Sequence, residues 1–121
     1  NTESEFHESV TKYDIVTDIK EYLQKNDYLD VLIVMNDTVA FAAYKAASEL
    51  RKDIPDDLKL ISYGNYNWSS FPTIGLTTFE QHFFKYGKEA VKLLLKRMSG
   101  TSSMIQQRRI IKYDLQRRKS F

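Results

Sequence analysis

The stretch DVLIVMNDTVAFAAYKAASELR, residues 30–51, changes periodicity across three polar side chains. Asp30 to Met35 is too short a run for a helix and is rich in Val and Ile, the pattern of a strand buried on both faces. Asn36, Asp37 and Thr38 follow at once. Beyond them five alanines (Ala40, Ala42, Ala43, Ala46, Ala47) punctuate a helical stretch, leaving room for close approach to a sheet. A buried strand running through a polar corner into a helix is the repeating unit of an α/β fold.

The rest of the chain continues that alternation. TKYDIVTDIKEYLQKN (11–26) spaces Ile15, Val16, Ile19, Tyr22 and Leu23 as one helical face, with Thr11 and Asp14 marking its start. DIPDDLK contains a turn, and LKLISYG reads as a second buried strand. NYNWSSFPTIG is a loop of turn formers and aromatics in which Pro72 bars a long regular element. After the short extended piece LTT, Thr78-Phe79-Glu80-Gln81 has the form of a capping box opening a helix to about Ser99. Its expected inner stripe is Phe83, Tyr86, Gly87, Ala90, Val91, Leu94 and Met98, and Gly100 terminates it. The closing MIQQRRIIKYDLQRRKSF alternates as one or two solvent-edged strands. The expectation is a three-layer, Rossmann-like parallel sheet over residues 11–121, preceded by a disordered or extended segment, 1–10.

Composition bounds the function. At 121 residues, 42% hydrophobic and 13% aromatic, the chain suits one small globular domain or part of a larger one. It has no cysteine, which excludes disulfides and thiolate metal sites and fits a reducing compartment. No apolar run approaches the roughly 20 residues that span a bilayer. Residues 1–30 carry eight acids against three lysines, and residues 96–121 carry eight bases against Asp114 alone. A basic tail raises the question of nucleic acid, but outward side chains of a solvated strand account for it more simply.

In parallel sheets ligands sit at the carboxyl ends of the strands. Asn36-Asp37 and Gly64-Asn65 both fall there. A carboxylate after a buried strand is also where aspartyl-phosphate enzymes keep their nucleophile. Such sites need a second carboxylate for Mg²⁺, and position 39 is Val. His7 and His82 are isolated, and the four glycines (Gly64, Gly75, Gly87, Gly100) form no phosphate loop. These residues therefore do not suggest an enzyme, and neither metal nor cofactor is expected. A Mg²⁺-dependent phosphatase is the weaker reading.

Taken in order, Asn36-Asp37, Ala40, Pro55-Asp56-Asp57, Ser62-Tyr63-Gly64-Asn65, Leu76-Thr77-Thr78, Gln81 and Gly87 resemble the effector-binding core of LacI/GalR-family transcription regulators. Leu115, Arg118 and Ser120 are similar to that family's closing Leu-x-x-Arg-x-Ser pattern. The family's second strand ends Gly-aromatic-Asp-Asp/Asn. The resemblance implies a periplasmic-binding-protein-like fold of two α/β subdomains, of which this chain is a partial C-terminal subdomain. It implies a small-molecule effector, often a sugar, in a cleft. It also implies a cytoplasmic homodimer that reaches operator DNA through an N-terminal segment outside this chain.

By the same resemblance Asp37 and Asn36 are the chief hydroxyl contacts, joined by Asn65, Tyr63 and Gln81. A carboxylate beside an amide is suited to adjacent sugar hydroxyls. Asn36 also suits the N-cap of the helix it precedes. Trp68 and Phe71 are candidate subunit contacts. Matched to Tyr63-Gly64, the family's aromatic-Asp pair loses its acid at position 64. A solute-binding protein of a sugar transporter is the alternative on the same fold. An incomplete sheet further predicts self-association.

Overall fold

The computed structural model describes residues 14–100 and 107–121. Helix α1 (Ile15–Lys25) is capped by Asp14, whose carboxylate accepts the Val16 N–H at 3.1 Å and the Thr17 hydroxyl at 2.7 Å. The Thr17 hydrogen bond holds the Asp14 carboxyl below its ordinary range. Thr11 and the 1–10 segment lie outside the described residues.

Helix α1 packs along α2 (Asp37–Glu49). Ala40, Ala43, Ala46 and Ala47 of α2 are fully buried and add little bulk between the helix and its neighbours. Past its C-cap Leu50, α2 ends in a Schellman motif. The Lys52 N–H reaches the Ala47 carbonyl at 2.9 Å and the Arg51 N–H reaches Ser48 at 3.1 Å. Arg51 takes the left-handed position of that motif, at φ 56°.

Strands β1 (Val31–Ile33), β2 (Lys59–Tyr63) and β3 (Thr77–Glu80) lie side by side and parallel. β4 (Asp114–Gln116) closes the described sheet antiparallel to β3. The result is an α/β fold with an open, mainly parallel sheet. The core beneath α2 joins Val34, Ala40, Ala43, Leu60 and Leu76, edged by Ile19, Leu32, Val39, Tyr44, Ile54, Trp68 and Ile74. On the sheet's other face Tyr63 stacks on Phe79, its register partner, at 4.9 Å, with Tyr113 edge-on.

The last residues clamp the open side of the sheet. Ser120 Oγ donates to the Leu60 carbonyl at 2.6 Å and accepts the Thr77 N–H at 2.8 Å. Its backbone accepts from Leu60 N–H at 2.7 Å and donates to Gly75 at 3.0 Å. Ser120 thus bridges β2 and β3 just before their direct pairing begins. Arg118 completes the clamp through Nη1 to the Leu76 carbonyl at 2.7 Å and Nη2 to Asn65 Oδ1 at 2.6 Å. The closing Leu-x-x-Arg-x-Ser pattern is therefore a structural clasp.

Three expectations are corrected. β1 is not buried on both faces: Ile33 and Met35 are exposed, because β1 is the outer strand and no described element covers them. Thr78 does not cap a helix. It lies mid-strand, fully buried, and the following α3 (Phe83–Met98) starts after His82 in a left-handed conformation, without a side-chain cap. Pairing with β2 and β4 overrides the local capping signal. Finally, no residue of the expected α3 stripe is buried; Phe83, Val91, Leu94 and Met98 all stand open, alongside Phe84. Gly100 does end the helix, at φ 68°. Among the described residues no helix is long and apolar enough to cross a membrane.

Candidate functional site

The carboxyl ends of β1, β2 and β3 meet at the N-terminus of α2. Asn36 caps that helix, its Oδ1 accepting the Val39 N–H at 2.9 Å. The cap uses only the amide oxygen.

Asp37 has 0% of its surface exposed. Its Oδ1 accepts the hydroxyls of Ser62 and of Thr78, the latter at 2.8 Å. Its Oδ2 accepts the Ser69 hydroxyl and the Tyr66 N–H, the latter at 2.8 Å. Four donors on β2, β3 and the following loop thus fill one carboxylate. Burying such a group is costly unless its lone pairs are met, and here they are. The arrangement follows from strand alternation: Ser62 and Thr78 are register partners facing α2, whereas Tyr63 and Phe79 face away. The sequence reading put Asp37 in contact with a ligand; the fold sets it one layer behind the surface. The burial likewise denies Asp37 the access that an attacking nucleophile needs.

Beyond β2 the chain turns through Gly64, at φ 139°, where a Cβ would stand 3.4 Å from both the Asp37 carboxyl carbon and the Tyr66 ring. At that φ any side chain would strain the backbone, whatever the space around it.

Asn65 is held in a left-handed conformation at φ 56°. Its amide donates to Glu80 Oε2 and its oxygen accepts from Arg118, tying the loop to β3 and to the C-terminal clasp. Glu80 Oε1 also accepts the His82 N–H at 3.2 Å. His82 Nε2 lies 2.7 Å from Asp114 Oδ2 on β4.

In front of this framework lies an open hollow of about 760 Å³. Its walls are Gly64, Asn65, Tyr66, Asn67 and Trp68 on one side and Glu80, His82, Phe83, Phe84 and Lys85 on the other. Tyr66 and Trp68 pack edge to face at 6.1 Å, and Trp68 meets Phe41 of α2 at 6.2 Å. Trp68 is half-buried against the core, while Phe71 is exposed.

Of the sequence candidates, Asn65 lines the hollow, Asn36 caps α2 on the same sheet edge, Tyr63 packs on the reverse face, and Gln81 sits half-buried between β3 and α3. Tyr66, Asn67 and Phe83 also line the hollow and were not among the sequence candidates. The donors to Asp37 were missed as well. A lone Ser62 in an otherwise apolar strand was the hint that something polar lay opposite.

Residues 7–121 match the periplasmic binding protein-like domain family. The chain is 32% identical over 80 residues to the HTH-type transcriptional repressor PurR of Aliivibrio salmonicida, covering 66% of this chain and 24% of that protein. It is 32% identical over 76 residues to the ribose operon repressor of Halalkalibacterium halodurans, covering 63% and 23%. The chain thus spans about a quarter of the length of these relatives. Among solved structures, a LacI family transcriptional regulator from Enterococcus faecium with bound ribose superposes with a TM-score of 0.70 at 28% identity, covering 87% of this chain and 38% of that one. A lac repressor dimer bound to operator and the anti-inducer ONPF gives 0.75 at 23%, covering 88% and 36%, and supports the fold. The chain belongs to the periplasmic binding protein-like domain family, and the curated relatives it matches are transcriptional repressors.

Proposed function

We propose that this chain is the effector-sensing part of a LacI/GalR-like transcriptional regulator that acts in the cytoplasm as a homodimer and binds a small molecule of the carbohydrate class. The observation that carries this reading is the hollow at the strand ends, where rings of Tyr66, Trp68 and Phe83 stand beside the amide of Asn67. The C–H face of a sugar packs on aromatic rings while its hydroxyls pair with amides, and such a mix of apolar walls and few polar groups is what ligand sites offer. The relatives named above are repressors, and one solved neighbour holds ribose.

In this reading Tyr66, Asn67 and Phe83 make direct contact, and the uncommitted amide nitrogen of Asn36 joins from the same sheet edge. Gln81 flanks the site from the β3–α3 corner. Asn65, Tyr63 and Asp37 shape it through their own packing. Effector binding favours one arrangement of the regulator and so alters its hold on operator DNA, as a population shift requires differential affinity for two states. Exposed Phe71 is the candidate subunit contact from this loop. Calorimetric titration of the longest natural form carrying this chain with ribose, lactose and cellobiose tests the reading. Heat with one sugar, lost in Tyr66→Ala, is expected. Binding by none of a wider panel of mono- and disaccharides overturns it.

A further inference from the structure

We propose that Asp37 is a positioning residue for the loop that displays Tyr66 and Trp68, and that it acts on ligand affinity only through that loop. The part concerning affinity rests on the proposed effector site; the part concerning the loop does not. The four hydrogen bonds to Asp37 fall into two classes. Ser62 and Thr78 are strand residues whose backbones the sheet already fixes. Tyr66 and Ser69 belong to the loop, and their bonds to Oδ2 draw both ends of the Tyr66–Ser69 turn onto the α2 N-terminus. Only one side of the carboxylate therefore orders anything the sheet does not.

The short helical turn between them (Asn67–Ser70) is too small to hold itself, since isolated helical turns are unstable. Its own N-cap makes no side-chain hydrogen bond. The bonds from Tyr66 N–H and Ser69 Oγ to Asp37, together with the backbone bond from Leu76 N–H to the Ser69 carbonyl at 2.9 Å, pin the turn from below. They leave the Tyr66 ring and the Asn67 side chain facing the hollow.

Trp68 is the chain's single tryptophan and sits within that turn, so its fluorescence reads the loop directly. Three variants of the 121-residue chain separate the two classes: Asp37→Asn, Ser69→Ala and Ser62→Ala. Asp37→Asn presents an amide to a cluster of donors, and Ser69→Ala removes one loop bond with little change in size. At a temperature where circular dichroism shows each variant folded, both are expected to red-shift Trp68 emission and raise its quenching by acrylamide. Ser62→Ala is expected to lower the unfolding midpoint while leaving Trp68 as in the parent. Should Asp37→Asn not fold, Ser69→Ala against Ser62→Ala still decides the matter. Unchanged Trp68 in Ser69→Ala, or an equal shift in Ser62→Ala, overturns the proposal. Neither readout needs a sugar, so a failure of the effector reading would show separately. Where the unsubstituted protein does bind a panel sugar, Ser69→Ala should weaken it by about tenfold, the order of one lost hydrogen bond. Ser62→Ala should leave that affinity unchanged, and equal losses in the two would also refute the assignment.

Discussion

Replacing Ser120 with Ala should be among the most damaging single-atom changes in this chain, although the residue is second from its end. Ser120 is 1% exposed, and its hydroxyl both donates to the Leu60 carbonyl and accepts the Thr77 N–H. Alanine removes one oxygen and so loses two hydrogen bonds, each worth about 1 kcal/mol net. The greater cost lies in the group left behind. Thr77 is fully buried, so its N–H is left unpaired and far from water, at a further cost of about 1–3 kcal/mol. The expected total is about 3–5 kcal/mol, a substantial share of the roughly 5–15 kcal/mol that stabilises a domain. With a urea m-value of about 2 kcal/mol/M, the midpoint should fall by about 1.5–2.5 M. Ser70→Ala is the matched control: Ser70 is exposed and donates only to the Asn67 carbonyl, so its midpoint should move little. Equal midpoints for the two variants would refute the view that the C-terminal segment clamps β2 to β3.

Gly64→Ala should cost about 1–3 kcal/mol, because φ 139° is open to glycine alone; a midpoint unchanged in urea would contradict the backbone conformation. Arg51→Gly should stabilise by about 0.5–1 kcal/mol, since glycine relieves the left-handed strain at the end of α2 and returns part of the gain as unfolded-state entropy. A thermal midpoint raised by about 2–4 °C would confirm it. Asp14 gives a pH test. Its carboxyl is held below its ordinary value by the Thr17 hydrogen bond, so its capping contribution is complete above that ordinary value, 3.8, and is lost as pH falls through the lower folded value. Asp14→Asn, which keeps a cap without the titration, should lose less stability than the parent over that acid range.

The strand-to-helix corner at Asn36 was legible because two periodicities meet there and because asparagine is a preferred cap; both held in the structure. β2 was legible for a similar reason, an apolar run bounded by Gly64. Thr78-Phe79-Glu80-Gln81 misled because a capping box describes only what local side chains can satisfy. In the fold the Thr78 hydroxyl donates to Asp37, and its backbone belongs to a sheet whose partners lie far off in sequence, at Ser62 and Gln116. The α3 stripe misled differently. Its periodicity was read correctly, but amphipathicity states that a helix has an apolar face and not which described element covers it. That face carries an open groove along Phe83, Phe84, Gly87 and Val91.

Asp37 shows most clearly where sequence reasoning stops. A polar residue at the end of a buried strand signals that a polar partner is needed, and a ligand hydroxyl and a protein hydroxyl satisfy that need equally. The choice depends on how many donors the fold delivers to the same point. Ser62, Ser69 and Thr78 sit 25, 32 and 41 residues along the chain from Asp37, so nothing local announces that they converge. Once they do, with the Tyr66 N–H as a fourth donor, the carboxylate is filled and a ligand gains nothing by reaching it. In the reading proposed above, recognition then passes to groups that the framework leaves uncommitted at its surface. In the proposed reading Tyr66 and Asn67 are the residues that read the ligand, and the bond from the Tyr66 N–H to Asp37 is what holds their loop in place.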